Sequence, residues 1–215
     1  HALNRDIEPL VYKIFLTVPM DPETHGIPAL QKSCMLNWLP TAQIIVRKYG
    51  IDLARRTQTF LRLAISRGNE DMVRFLLSHD EVDPGHDFNL PVREAIRAGN
   101  ADIVTMLLDD RRVDVNNTTT VDNSLLCTAA AKPMLDPRVV MQLLMMGMDP
   151  NQYKHAAIRI AMQTSNTAFI LALASHPMIE LTGLERLSVL SILDDDRASD
   201  RELIQKLVRS KFPEL

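Results

Sequence analysis

The sequence predicts an all-α chain, a solenoid of stacked helix-turn-helix pairs joined by short fingers, and three observations predict it. Arg62–Pro84 (RLAISRGNEDMVRFLLSHDEVDP) lies over Arg93–Val115 (REAIRAGNADIVTMLLDDRRVDV) without a gap, so that Ala-Ile, Gly-Asn, Leu-Leu and Val-Asp each fall on themselves. The step, 31 residues from Gly68 to Gly99, recurs up and down the chain. Within each step the apolar residues keep helical spacing, and a pair of short helices is too small to bury both of its faces unless it stacks on copies of itself.

One domain spanning 1–215 is expected, in units 1–25 (partial), 26–56, 57–87, 88–121, 122–154, 155–184 and 185–215, the last a C-terminal cap. The first carries Ile14-Phe15 in the apolar-pair position and ends at Asp21, which reads as a unit entered part-way, as in a piece of a longer chain. In the second, Ser33, Asn37, Ile45-Val46 and Ile51-Asp52 stand one step before Ala64, Gly68, Leu76-Leu77 and Val82-Asp83. Asn is the residue that best replaces Gly where φ is positive, so Asn37 is expected to be left-handed.

The third unit shows the plan. Leu61, Ala64 and Ile65 mark one short helix, and Met72, Val73, Leu76 and Leu77 mark a second. Gly68-Asn69 turns the chain between them, and Asp71 favours the start of the second helix through the macrodipole. VDPGHDFN then clusters Pro, Gly, Asp and Asn where the chain must reverse. After the fourth unit the step from Asp114 to Asp149 lengthens, and the extra residues fall in Asn116–Asn123 and Lys132–Arg138, both read as loops. In the sixth unit Ala161, Asn166, Phe169-Ile170 and Leu173 return 66 residues after Ala95, Asn100, Ile103-Val104 and Leu107. The last unit is a weaker copy, as terminal units are when one face meets water.

Composition narrows the function. With 24 Lys+Arg against 27 Asp+Glu, a formal charge of −3 and 5% aromatics, the chain has neither a nucleic-acid footprint nor a stacking platform, and no nucleic-acid partner is expected. No apolar run nears the roughly 18 residues of a membrane span and no secretory pattern opens the chain, so no membrane partner is expected. Cys34 and Cys127 read as reduced core thiols of a cytosolic or nuclear protein. No phosphate-cradling glycine loop is present, and the histidines, among them His25, His79, His86, His155 and His176, lack paired ligand spacing. Asp194–Asp200 (DDDRASD) lacks the Gly and the final Glu of a calcium loop and reads as a solvated loop capping a helix near Arg201. The expectation is therefore a chain that is not an enzyme, with no cofactor and no metal.

The segments AISRGNEDMVRFLLSHDEVDP, AIRAGNADIVTMLLDDRRVDVN, VVMQLLMMGMDPN and AMQTSNTAFILALASHPMIEL resemble the ankyrin repeat, a helix-turn-helix-finger unit of about 33 residues. The likeness covers nearly the whole chain and belongs to a divergent variety whose fingers are shortened to a step of about 31. Where a typical ankyrin helix opens with Thr-Pro-Leu-His, this chain has TFLR, LPVR and AAIR. Arg62, Arg93 and Arg159 thus take the histidine's place, with Gln31 and Cys127 there in other units. Two readings of that arginine row stand: a grip on an anionic partner, or a tie from the helix start to neighbouring loop backbone.

What the resemblance implies is a monomeric module binding a protein or peptide on a concave face built from finger tips and exposed sides of the first helices. Carried through the register, that face takes Arg55, Arg56, Gln58, His86, Asp87, Asn89, Gln152, Tyr153 and His155 from the fingers, and Ser66, Arg67, Arg97, Ala98, Gln163 and Thr164 from the helices. Arg56, Arg67, Arg97 and Tyr153 stand out, since Arg and Tyr are enriched among residues whose loss weakens interfaces. Met141, Met145, Met146 and Met148 form a soft run that reads as part core and part adaptable surface. The second functional reading is an accessory domain of a larger enzyme or host-directed effector whose catalytic part lies outside these residues.

Overall fold

The computed structural model describes residues 2–53, 57–176 and 179. Eleven α-helices and no strands occur among them. The chain divides into two compact units, His1–His86 and Asp87–Leu215. The expected cap 185–215, Asp194–Asp200 and the end of the sixth expected unit lie outside the described residues.

In the first unit the helices are α1 (Ala2–Thr17), α2 (Ile27–Leu36), α3 (Leu39–Tyr49), α4 (Thr57–Ser66) and α5 (Glu70–Leu77), with a π-helical turn over Pro22–Gly26 ahead of α2. Each boundary has a local cause. Asp21 accepts a bond from the Thr24 amide at 2.7 Å and Pro22 occupies the first turn, where a missing N–H is harmless. Asn37, at φ 58° and ψ 38°, ends α2 in the left-handed conformation expected of it. Gly50 at φ 56° and Gly68 at φ 68° end α3 and α4 in the same way. First helices pack on first helices, α2 on α4, and second on second, α1 on α3 and α3 on α5. Leu30, Ile45, Leu61, Met72 and Leu76 are fully buried, with Phe60 and Ile65 nearly so. Lys48 closes the exposed end of α1 by donating from Nζ to the Phe15 and Leu16 carbonyls, each at 3.0 Å, which places a cation at a helix C-terminus.

In the second unit the helices are α6 (His86–Ala98), α7 (Ala101–Leu108), α8 (Leu125–Ala130), α9 (Pro137–Met145), α10 (Gln152–Gln163) and α11 (Thr167–Ser175). The same pairing rule holds: α8 packs on α10, α7 on α9 and α9 on α11. Val92, Ile96, Ile103, Leu107, Leu125, Val139, Leu143, Ile158 and Ile170 are fully buried. Asn100, Ser124 and Asn166 cap α7, α8 and α11 by accepting from Ile103, Cys127 and Phe169 amides. The Lys132–Arg138 stretch is loop only as far as Asp136, which caps α9 ahead of Pro137. A short 3-10 turn, Val121–Asn123, breaks the other expected loop.

Three of the aspartates that mark the step make the same turn. Asp83 accepts from the Gly85 amide at 2.8 Å, Asp114 from Asn116 at 3.0 Å and Asp149 from Asn151 at 2.9 Å. A short carboxylate bonding its own backbone two residues on is the Asx-turn, and it explains why Asp recurs at this place.

One feature of the fingers differs from the expected Pro/Gly turns. Asp87, Phe88 and Asn89 hold φ of 50°, 54° and 58°, and Tyr153, Lys154 and His155 hold 52°, 55° and 60°. Each triplet is a turn of left-handed helix made without glycine, at matching places in the register. Such a backbone costs an L-residue about 1–2 kcal/mol, less for Asn and Asp. The right-handed turns of α6 and α10 follow at once, and Pro91 sits where the right-handed part begins.

Candidate functional site

Two of the three arginines in the row, Arg93 and Arg159, bond to the left-handed turns. Arg93 donates from Nη2 to the Asp87 carbonyl at 2.8 Å, and Arg159 donates from Nη2 to the Tyr153 carbonyl at 3.4 Å. In both copies the guanidinium reaches back six residues to the first carbonyl of the left-handed turn. The acceptor is the turn's own backbone. Arg93 is buried while Arg159 is exposed. Burial, together with the neighbouring Arg97 charge, lowers the Arg93 pKa below its ordinary value.

A second set of ties joins neighbouring helix pairs. Asn69 donates from Nδ2 to the Cys34 carbonyl at 2.6 Å. Asn166 donates to the Ala130 and Lys132 carbonyls, each at 3.1 Å, and Thr164 Oγ1 adds a 3.0 Å bond to Ala130. These asparagines satisfy carbonyls left over at the end of the preceding first helix. Their role was not anticipated, although their place after the turn glycine, or after Ser165 in the α10–α11 turn, was visible in the repeat.

Of the residues assigned to the partner face, Arg55, Arg56 and the Gln58 side chain lie outside the described residues. Arg67 is exposed beside Ser66 at the end of α4, and His86 and Asp87 are exposed at the start of α6. Asn89 is inside the fold: it is 1% exposed and its Nδ2 donates to the Asp114 carbonyl at 2.7 Å, so it presents nothing to a partner. Arg97 and Ala98 are exposed at the end of α6, and Gln163 is exposed at the end of α10, where Thr164 is half-buried. Gln152, Tyr153 and His155 are half-buried, and the Tyr153 hydroxyl stands 3.2 Å from Thr118 Oγ1. Of the methionine run, Met148 is buried at 2%, whereas Met141 and Met145 are 42% and 84% exposed on one side of α9.

Arg97 among these borders a groove. In the second unit a groove of about 270 Å3 is lined by Arg97, Asp122, Cys127, Thr128, Lys132 and Ile160. It runs from the end of α6, past the 3-10 turn, along α8 to α10. Gly99, at φ 79°, leaves room for the Lys132 side chain: a methyl on Gly99 would stand 3.2 Å from Lys132 Cε. Cys127 is 4% exposed, and burial pushes its thiol up against the opposing pull of the Ser124 hydroxyl and Arg159. A thiol so placed stays protonated and inert at neutral pH. Lys132, Asp122 and Thr128 carried no sequence signal, because their meeting depends on how adjacent helix pairs pack. The first unit has its own open cleft, lined by Glu23, Ile27, Ile51, Asp52 and Thr59.

No family model matches the chain, and no curated protein matches it.

Proposed function

We propose that this chain is a non-catalytic binding module of the divergent ankyrin type, which takes a protein or peptide on the face carrying the finger residues and the ends of the first helices. One observation carries the reading. Two asparagines that tie neighbouring helix pairs, Asn69 and Asn166, and two arginines that brace their own left-handed turns, Arg93 and Arg159, recur at matching places and donate into the fold. The positions beside them at the helix ends, Ser66-Arg67, Arg97-Ala98 and Gln163, differ in chemistry from copy to copy and are exposed. A constant frame with changeable exposed positions suits recognition, since an interface needs distinct side chains on a rigid support.

The test compares the wild-type chain with a variant carrying Arg56→Glu, Arg67→Glu and Arg97→Glu in affinity capture from cell extract. Proteins retained by the wild type and lost by the folded variant are the expected result. Identical lists from both would sink the assignment of this face, and no specific retention by the wild type would sink the module reading itself.

A further inference from the structure

We infer that the groove between α6, α8 and α10 is a seat for an acidic side chain of a peptide partner, with Arg97 and Lys132 as its carboxylate-binding pair. The inference rests on the binding-module reading and names the chemistry of the partner. Three observations carry it. The groove is walled by Val121, Ala131 and Ile160 on its apolar side. Its two cations stand on different segments, Arg97 at the end of α6 and Lys132 just after α8, with the Lys132 ammonium 3.7 Å from where a Gly99 methyl would be. Neither cation is ion-paired among the described residues, whereas Arg112 and Arg138 in the same unit hold carboxylates at 2.6 Å and 2.8 Å.

Two unpaired cations beside apolar wall favour an anion whose neighbour is apolar. Arg159 adds positive potential, as its effect on the adjoining Cys127 shows. Asp122, on the rim of the same groove, selects among anions: it opposes a doubly charged phosphate more than a single carboxylate. The favoured occupant is therefore Glu or Asp next to an aliphatic residue, in an extended peptide segment.

The probe is a fluorescein-labelled peptide with Glu-Glu-Leu flanked by Gly and Ser, titrated against the full chain at low salt by anisotropy. A Gln-Gln-Leu counterpart and a phosphoserine counterpart are titrated beside it. Saturable binding of the Glu peptide is expected, about tenfold tighter than the Gln peptide and weakening as salt rises. Lys132→Glu and Arg97→Gln should each weaken it by about tenfold, and Asp122→Asn should tighten it by about threefold. The gain with Asp122→Asn keeps the inference exposed to failure even if a charge-reversed variant folds poorly. Equal binding of the Glu and Gln peptides, or wild-type affinity in both cation variants, overturns it. A phosphoserine peptide binding tenfold tighter than the Glu peptide overturns the choice of carboxylate. Should extract capture retain partners while the Glu peptide fails to bind, the groove assignment falls and the binding-module reading stands.

Discussion

The Asn69 side-chain amide donates to the Cys34 carbonyl at 2.6 Å, a bond spanning 35 residues that ties one helix pair to the next. Asn166 makes the equivalent tie twice over and also caps α11. Removing the Asn69 side chain takes the Cys34 carbonyl's bond away in a half-buried place, and removing that of Asn166 does the same to the Lys132 carbonyl while Ala130 keeps Thr164, each loss costing about 1–3 kcal/mol. Asn69→Ala is expected to lower stability by about 1–2 kcal/mol. Asn166→Ala, which loses a cap as well, should lose about 2–3 kcal/mol. Urea unfolding midpoints of the two variants check the order, and a smaller loss for Asn166→Ala would refute it.

The left-handed turns make the opposite kind of prediction. Lys154 sits at φ 55° with an exposed side chain, so its backbone conformation costs stability and no packing is lost by truncation. Relief of about 1–2 kcal/mol of strain outweighs the roughly 0.4–1 kcal/mol that glycine adds to the unfolded chain's freedom. Lys154→Gly should therefore stabilise the protein by about 0.5–1 kcal/mol, read as a higher thermal midpoint. Destabilisation would show that the left-handed turn is not the conformation held in solution.

Arg93 and Arg159 stand at one repeat position but in different surroundings. Arg93 is buried with a 2.8 Å bond to the Asp87 carbonyl, and its Nε is buried without a partner; Arg159 is exposed with a 3.4 Å bond. A charge-assisted bond in a closed site is worth about 1.5–3 kcal/mol, and a long one in water is worth little. Arg93→Ala should destabilise by about 2 kcal/mol and Arg159→Ala by under about 0.5 kcal/mol. Chemical denaturation of both variants measures the difference, and equal losses would mean that the two arginines share one role despite their exposure.

Helix pairs were legible in the sequence because their signals are local. Leu61, Ala64 and Ile65 or Met72, Val73 and Leu76 announce a buried helical stripe by spacing alone, and all six are buried. Asn37 announced its positive φ by standing where Gly68 stands one step later. What the sequence hid depends on contacts between segments or on backbone strain. Asn89 looks like a polar finger residue, yet it is buried because the left-handed turn aims it at the Asp114 carbonyl. Phe88, Tyr153 and Lys154 are poor residues for positive φ, so no propensity argument would put them there. Lys132 looked like an ordinary loop residue, and only the folded chain brings it into one groove with Arg97. The helices are thus written in local spacing, and the candidate site in contacts between segments.

Cys34 yields a prediction about pH. Its side chain is fully buried, and burial pushes its thiol up to about 12. In the unfolded chain a thiol titrates near about 8.5. Below that value both states are protonated and the thiol's contribution is constant. Above it the unfolded chain gives up the proton while the folded protein keeps it, so the unfolded state is favoured and stability falls as pH rises toward about 12. The slope attributable to this one group is at most about 1.4 kcal/mol per pH unit. Other titrating groups also act in this range, so the measurement is a difference: urea unfolding of wild type and Cys34→Ala at a pH near 8 and again near 9.5. Cys34→Ala is expected to be less stable at the lower pH, by the burial lost, and the gap should narrow by about 1 kcal/mol at the higher one. A gap independent of pH would mean that the thiol ionises as easily in the folded protein as in the unfolded chain, and Cys34 would then have to be accessible to water.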